Sequence, residues 1–287
     1  MCGQPRKRGE TTGAMTESAV QLGFIGGGVM AEAILARLVD RGTIAPDQIC
    51  VSEPMAERRS TLVDRYGIRV TEDNRSLLAQ AATVILAIKP QVFPAIAAQV
   101  AGAWDAGRSP LILSILAGTP LSKLEAAFAG CPVVRAMPNT PATVGAGVTA
   151  IAPGSLVSPA QIDQARAIFG AIGQVVDVPE TLMDAVTGLS GSGPAFVALF
   201  VEALTDGGVA AGLPRATAAT LAVQTVLGTA QLLADSQLHP AELKDRVTSP
   251  GGTTIAGVAA LERAGFRSAT IEAVRAAWLR SRELGQS

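Results

Sequence analysis

At 287 residues the chain can bury a substantial core and divide into two domains. Charged residues make up only 16% and nearly cancel to a formal −1, so there is no basic field to hold nucleic acid or an anionic membrane surface. The mean hydropathy of +0.36 suits an oligomer that hides much of its surface. Cys2, Cys50 and Cys131 are odd in number and far apart. That spacing gives neither a disulfide framework nor a metal site, and it fits a reducing cytoplasm.

Residues 1–17, with Arg6-Lys7-Arg8 among Gly, Thr and Pro, lack the apolar core of a secretion signal and read as a disordered tail, with Met15 a candidate start. Gln21 to Ala31 then reads as an apolar strand, a glycine turn and a helix beginning near Val29. It has the G-x-G-x-x-A form of the dinucleotide fingerprint. Gly26 makes the tight turn, Gly27 and Gly28 let a pyrophosphate approach the backbone beside Val29 and Met30, and Ala31 permits close helix-to-strand packing. A helix to about Asp40 and a second strand, Ile49 to Ser52, follow. That strand ends in Glu53, where a ribose-binding carboxylate is expected. Arg58 and Arg59, in a helix over 54–66, could instead approach a 2′-phosphate. The two signals conflict, and both NAD and NADP remain candidate cofactors.

Alternation continues with a short strand at 68–70, a short helix capped by Asn74, and a continuous apolar run from Thr83 to Lys89 of the parallel-strand type. Further strands read at 110–116 and 132–137. Between them Thr119-Pro120 reads as a cap followed by the first residue of a helix. Two more strand-like pieces, 147–152 and 174–178, flank a helix that Ser158-Pro159 begins. These residues, 18–179, are expected to form a doubly wound α/β Rossmann domain. Ligands in such sheets bind beyond the carboxyl ends of the strands, where Ala87-Ile88-Lys89-Pro90 and the segment containing Asn139 fall. On local grounds Lys89 is equally a solvated strand-end lysine, and Asn139 a turn residue between two prolines.

From 180 to 287 every segment has helical period or length: 180–189, 194–211, 215–235, 240–247, 253–264 and 268–284. This second domain is all α and short of charge. Its longest uncharged stretch, Ala216 to Ala234, carries enough Thr and Gln to favour a buried or interface helix over a membrane span. Helices apolar on most faces need neighbours on most sides, and a partner subunit is the simplest source.

The segment Thr248-Ser249-Pro250-Gly251-Gly252-Thr253-Thr254-Ile255-Ala256-Gly257 leads small hydroxyl residues and two glycines into an apolar helix. It reads as a capped helix start with exposed amides that would hold a small anion, with the Thr253 and Thr254 hydroxyls beside it. His239, the single histidine, reads as a loop or cap residue before Pro240. No Cys/His pair and no G-x-S-x-G elbow supports nucleophilic hydrolysis.

The turn from Gly188 to Phe196 invites comparison with β-hydroxyacid dehydrogenases. Those enzymes place a lysine four residues past the last glycine and an asparagine three further on; here those places hold Val197 and Phe200. Chemistry that needs a lysine for an alcohol proton is therefore disfavoured. Reduction of a protonated C=N bond leaves no alkoxide to quench, and a helix end that holds a carboxylate would serve it.

Gly23 to Ala31, Leu86 to Pro90, Ala136 to Pro141, Leu189 to Phe196 and Leu243 to Gly257 together resemble the pyrroline-5-carboxylate reductase family, over nearly all of 21–284. The resemblance implies a Rossmann domain, a helical domain interlocked with a second subunit, often a decamer of five dimers, and NAD(P)H-dependent reduction of 1-pyrroline-5-carboxylate to proline. It further implies that Thr254 hydrogen-bonds the ring nitrogen as the catalytic contact. Ser249, Pro250, Gly251, Gly252 and Thr253 would bind substrate, and Asn74, Lys89 and Asn139 would line the cofactor side. Phe196 departs from the tyrosine common at its position. A β-hydroxyacid-dehydrogenase-like oxidoreductase and a non-catalytic dinucleotide sensor are the rival readings.

Overall fold

The computed structural model describes residues 20–104, 107 and 109–286. The expectation for the tail 1–17, with Cys2 and Met15, lies outside the described residues.

Eight strands form one sheet: β1 (Leu22–Ile25), β2 (Ile49–Ser52), β3 (Arg69–Thr71), β4 (Thr83–Leu86), β5 (Leu111–Ser114), β6 (Val133–Met137), β7 (Gly147–Pro153) and β8 (Gly173–Asp177). Their order is β3-β2-β1-β4-β5-β6-β7-β8. The first six are parallel. The link 138–146 is too short for the crossover that parallel pairing needs, and β7 returns antiparallel to β6, with Ala136 opposite Ile151. β8 runs parallel to β7.

Six helices cover the two faces: α1 (Val29–Asp40), α2 (Ala56–Tyr66), α3 (Asn74–Gln80), α4 (Phe93–Val100), α5 (Leu121–Ala127) and α6 (Pro159–Gly170). Because strand side chains alternate, β1 sends Leu22 and Phe24 to a core under α1, α2 and α6, where Ile34, Leu35, Leu62 and Phe169 pack. It sends Ile25 to a second core with Leu77 and Leu78 of α3, Val100 of α4 and Leu124 of α5. Both faces are sealed, and the central strands accordingly read as unbroken apolar runs.

Two helix starts differ from expectation. α3 is capped by Asp73, whose carboxylate accepts from Arg75 N and Ser76 N, and Asn74 is its first helical residue. An acceptor one position earlier reaches the same free amides, so the asparagine is released for another contact. α5 begins at Leu121 with Pro120 as cap and no side-chain cap of its own. The Leu121 N–H instead donates to the Glu180 carboxylate, so a residue distant in sequence takes the role given to Thr119. α6 starts as read, with Ser158 and Gln161 forming a capping box.

Beyond residue 179 the chain is helical: α7 (Met183–Val186), a π-helical turn (Thr187–Gly191), α8 (Gly193–Ala210), α9 (Arg215–Ser236), α10 (Pro240–Arg246), α11 (Thr253–Arg263) and α12 (Phe266–Gln286). The expected single helix over 180–189 is broken by the π turn. There Gly188 lets the backbone of α12 approach; a Cβ would lie 2.8 Å from both Val274 O and Trp278 N. His239 caps α10 by accepting from Ala241 N through Nδ1 at 3.2 Å. The stretches Glu180–Ala210 and Arg215–Ser236 are long and apolar enough to cross a membrane by length and composition. Few of their side chains are buried within the chain.

Candidate active site

The loops that follow β1, β2, β4 and β6 share the carboxyl edge of the parallel sheet. The strand order reverses direction between β1 and β4, and a crevice opens at such a switch point. Gly26, at φ +95°, turns the chain there; a Cβ would lie 2.6 Å from Ala87 O, so the turns after β1 and β4 meet in a way only glycine allows. Gly26 N donates to Ser52 O at 2.8 Å. Gly28 is the extended N-cap of α1 and no side chain caps that helix. The space a Cβ of Gly28 would enter is open, Val29 is exposed, and Met30 is half-buried. The bare first-turn amides and the positive end of the dipole thus face an accessible crevice, which fits a dinucleotide pyrophosphate.

Beside the loop is a hollow of about 350 Å³ lined by Gly27, Gly28, Glu53, Met55, Glu57, Arg58 and Thr61. Glu53 is buried. Its Oε2 accepts from Gly27 N at 2.9 Å and its Oε1 from Met55 N at 3.0 Å, so the acid also braces the glycine loop. Of the two arginines, Arg58 lines the hollow. Arg59 is turned away, its Nη1 donating to Glu53 O at 2.7 Å and Pro54 O at 2.8 Å.

Glu32 on the first turn of α1 gathers three partners. Arg58 Nη2 donates to its Oε2 at 2.5 Å, and Arg65 Nη1 and Tyr66 OH each donate to its Oε1 at 2.8 Å. Arg58 Nε also donates to Gly27 O at 2.7 Å. Burial works to raise the Glu32 carboxyl, but the bonds from Arg58 and Tyr66 and the charges of Arg58 and Arg65 hold it below its ordinary value. Burial, then the bond to Glu32, pushes the Tyr66 phenol up to about 12.

After β4, Ala87 and Ile88 are half-buried, Lys89 is exposed and Pro90 opens a 3-10 turn. After β6, Asn139 is used at both ends. Its Oδ1 accepts from Val148 N at 2.9 Å and its Nδ2 donates to Ser190 O, in the π turn, at 3.2 Å. It therefore ties the sheet edge to the helical region. Asn74 is buried, with Nδ2 donating to Gln99 Oε1 of α4 at 2.8 Å.

The helix start at 253 carries no side-chain cap. Its N-cap is Gly252, preceded by Gly251 in the left-handed region at φ +67°. The expected capping side chain is absent because the N-cap position falls on a glycine, while the Thr248 hydroxyl donates to Lys244 O at 2.6 Å. Ser249, Pro250, Gly251 and Thr253 are exposed; Gly252 and Thr254 are half-buried. The first-turn amides of α11 are left for a ligand. Among the described residues, no hydrogen bond or ion pair joins 249–254 to the glycine loop. α11 packs chiefly against α12, so one chain does not assemble the two halves of the candidate site through direct bonds.

Sequence reasoning missed two clusters. Arg135 on β6, only 5% exposed, lies 3.4 Å from Glu180 Oε1 and 3.6 Å from Asp184 Oδ1, and Ser281 Oγ of α12 donates to Asp184 at 2.8 Å. A charge in an otherwise apolar strand was the available signal. The Glu32 cluster was marked by Arg58 and Arg65, seven residues apart and so on one face of α2.

A dinucleotide crevice at the switch point, joined to a helical region whose free helix start can take an anion, defines a nicotinamide-dependent oxidoreductase. Residues 21–118 match the family model described as "NADP oxidoreductase coenzyme F420-dependent", and residues 180–284 match "Pyrroline-5-carboxylate reductase dimerisation". A pyrroline-5-carboxylate reductase from Synechocystis is 59% identical over 93% of this chain and 99% of its own length. The chain belongs to the pyrroline-5-carboxylate reductase family.

Solved structures agree. A pyrroline-5-carboxylate reductase from Coxiella burnetii superposes with TM-score 0.86 at 33% identity, covering 94% of this chain and 100% of its own. The Plasmodium falciparum pyrroline carboxylate reductase with NADP bound gives 0.84 at 29% identity, covering 94% and 99%. The chain is an NAD(P)H-dependent oxidoreductase that acts on a small molecule and associates with itself.

Proposed function

We infer that the protein reduces the C=N bond of 1-pyrroline-5-carboxylate to give L-proline, the last step of proline biosynthesis. Membership of the family supports the reaction, and one observation carries the assignment of site residues. It is the uncapped α11 start at Gly252, with the half-buried Thr254 one residue inside the helix.

Bound NAD(P)H would supply the hydride for the imine carbon. The C=N electron pair moves to nitrogen, which keeps the proton it already carries, so no side chain has to donate one. Ser249, Pro250, Gly251, Gly252 and Thr253 hold the substrate carboxylate through their backbone and hydroxyl groups, and the Thr254 hydroxyl hydrogen-bonds the ring nitrogen and orients the ring. Gly26, Gly27 and Gly28, with the amides of Val29 and Met30, take the pyrophosphate. Glu53 and Arg58 take the adenosine ribose, so that both NADH and NADPH serve. Ala87, Ile88, Lys89, Pro90 and Asn139 border the nicotinamide side. Asn74, whose Nδ2 also donates to Gln99 Oε1 of α4, lines the cofactor side with them.

In this reading the chain divides near residue 179 into a Rossmann domain (18–179) and a substrate and oligomerisation domain (180–287). Its exposed apolar helices are covered by a second copy rather than by lipid, in a dimer that builds to a decamer of five dimers. It works in the cytoplasm and binds no nucleic acid. The rival β-hydroxyacid chemistry lacks its proton donor, since Val197 and Phe200 occupy the places of the lysine and asparagine; Phe200 instead packs on Phe266 with ring centres 5.6 Å apart. Proline-dependent reduction of NAD(P) at alkaline pH, together with pyrroline-5-carboxylate-dependent oxidation of NAD(P)H, tests the reading. Turnover in both directions is expected. Turnover with a β-hydroxyacid only, or cofactor binding without turnover, would establish a rival.

A further inference from the structure

The hollow beside the glycine loop carries two carboxylates, Glu53 and Glu57, and one basic residue, Arg58, among the residues that line it. The carboxylates suit a ribose diol and oppose a 2′-phosphate. Arg58 is the counterweight, and its usefulness depends on where its planar fork is held. A guanidinium has five N–H donors. Nε is engaged with Gly27 O and Nη2 with Glu32 Oε2, which fixes the plane of the group against the loop and leaves donors for a ligand in the hollow. Glu32 itself does not line the hollow, so it orients the cation from outside the space that a ligand would fill. Arg65 and Tyr66 in turn fix Glu32, through Oε1.

We propose that Glu32 is a positioning residue for cofactor choice: it holds Arg58 so that the free edge of the guanidinium meets the 2′-phosphate of NADPH, and thereby tilts the enzyme toward the phosphorylated dinucleotide. The proposal rests on the reading that the glycine loop takes NAD(P)H. Direct titration of NADPH and of NADH into the full-length protein measures it without turnover. Glu32→Gln should weaken NADPH by about fivefold or more while NADH changes by less than about twofold, the scale of one oriented charge-assisted contact. Tyr66 is the single tyrosine, so tyrosinate absorbance reports the cluster independently. Its midpoint should fall from about 12 toward the ordinary 10.0.

A fallen tyrosine midpoint with an unchanged NADPH/NADH ratio would overturn the proposal and leave Glu32 a structural clamp. Should Glu32→Gln not fold, Arg58→Lys keeps the charge but loses the fork, and the same fall in ratio is expected; an unchanged ratio there also overturns it. Absence of pyrroline-5-carboxylate-dependent turnover in the parent would refute the functional reading, yet the binding ratio would still decide this one.

Discussion

The sheet half and the helical half have similar apolar content in their elements but dispose of it differently. In the first, both faces of the central strands are covered by helices of the same chain, and Leu22, Phe24, Ile34, Leu35, Ile85 and Phe169 are fully buried. In the second, most large apolar side chains stay exposed in the single chain; Leu199 on α8 is 65% exposed and Leu227 on α9 is 59% exposed. A helix with apolar residues on most faces requires more neighbours than one antiparallel partner provides. The first half buries its apolar faces within the chain, whereas the second leaves them exposed, which agrees with the dimerisation match over 180–284. The candidate site follows the same division, with the dinucleotide end on the finished half and the carboxylate end on the unfinished one.

The sharpest way to break that contrast is to charge the exposed helix faces. Leu199→Glu with Leu227→Glu should shift the protein to monomer by light scattering and lower turnover by on the order of a hundredfold, while cofactor titration changes little, since two buried charges cost several kcal/mol. Equal activity in a monomeric double variant would show that the helical half is self-sufficient.

Next in size is Thr254→Ala. As a ring-nitrogen contact its loss should lower kcat/KM by about tenfold or more, on the order of 1.5–3 kcal/mol, with little change in melting. Thr254→Ser should restore most of it. A cap role would instead predict about 0.5–2 kcal/mol of lost stability and near-normal turnover, and it is disfavoured because no side chain caps α11. Thr253→Ala is the control; failure of that variant with a normal Thr254→Ala would reassign the hydroxyl.

Arg135 joins the two halves. Removing it leaves Glu180 and Asp184 without their shared cation, and Arg135→Ala should lower stability by about 2–3 kcal/mol, below the full buried-pair penalty because both acids are partly exposed. Chemical denaturation reads it. A change under about 0.5 kcal/mol would mean that this ion-pair cluster does not hold the halves together.

The smallest effect is a pH dependence. Tyr66 has a folded value of about 12 against an ordinary 10.0, so its contribution is fully present below pH 10 and lost as pH rises toward 12. Glu32 has the opposite sign. Its folded value lies below 4.5, so its contribution is present above that pH and fades as pH falls through the folded value. Stability curves of Tyr66→Phe should lack the alkaline component and show a smaller acid one, since Glu32 loses one of the bonds that hold it low.

The alternation of strands and helices, the glycine turn and the helical second half were legible in the sequence because each is written locally, in period and in turn residues. The start of α5 was misread because its amide is satisfied by Glu180, nearly sixty residues away, which no local rule can see. α3 was misread by one residue because Asp73 and Asn74 are both good caps, and only the backbone decides between them. At the candidate site, the glycine turn at Gly26 to Gly28 and the helix start after Gly252 could be read from type and order. The bracing of the glycine loop by Glu53, the two-ended use of Asn139 and the gathering of Arg58, Arg65 and Tyr66 by Glu32 depend on elements that meet only in the fold.

The central claim is that turnover belongs to the associated protein, because the half that carries Ser249 to Thr254 is finished by another copy. Measuring mass by light scattering and pyrroline-5-carboxylate-dependent oxidation of NADPH on the same samples, across a dilution series, tests it directly. Specific activity should stay constant while the mass is that of a dimer or larger, and should fall in step with the appearance of monomer. A monomeric sample that retains full specific activity would contradict the account.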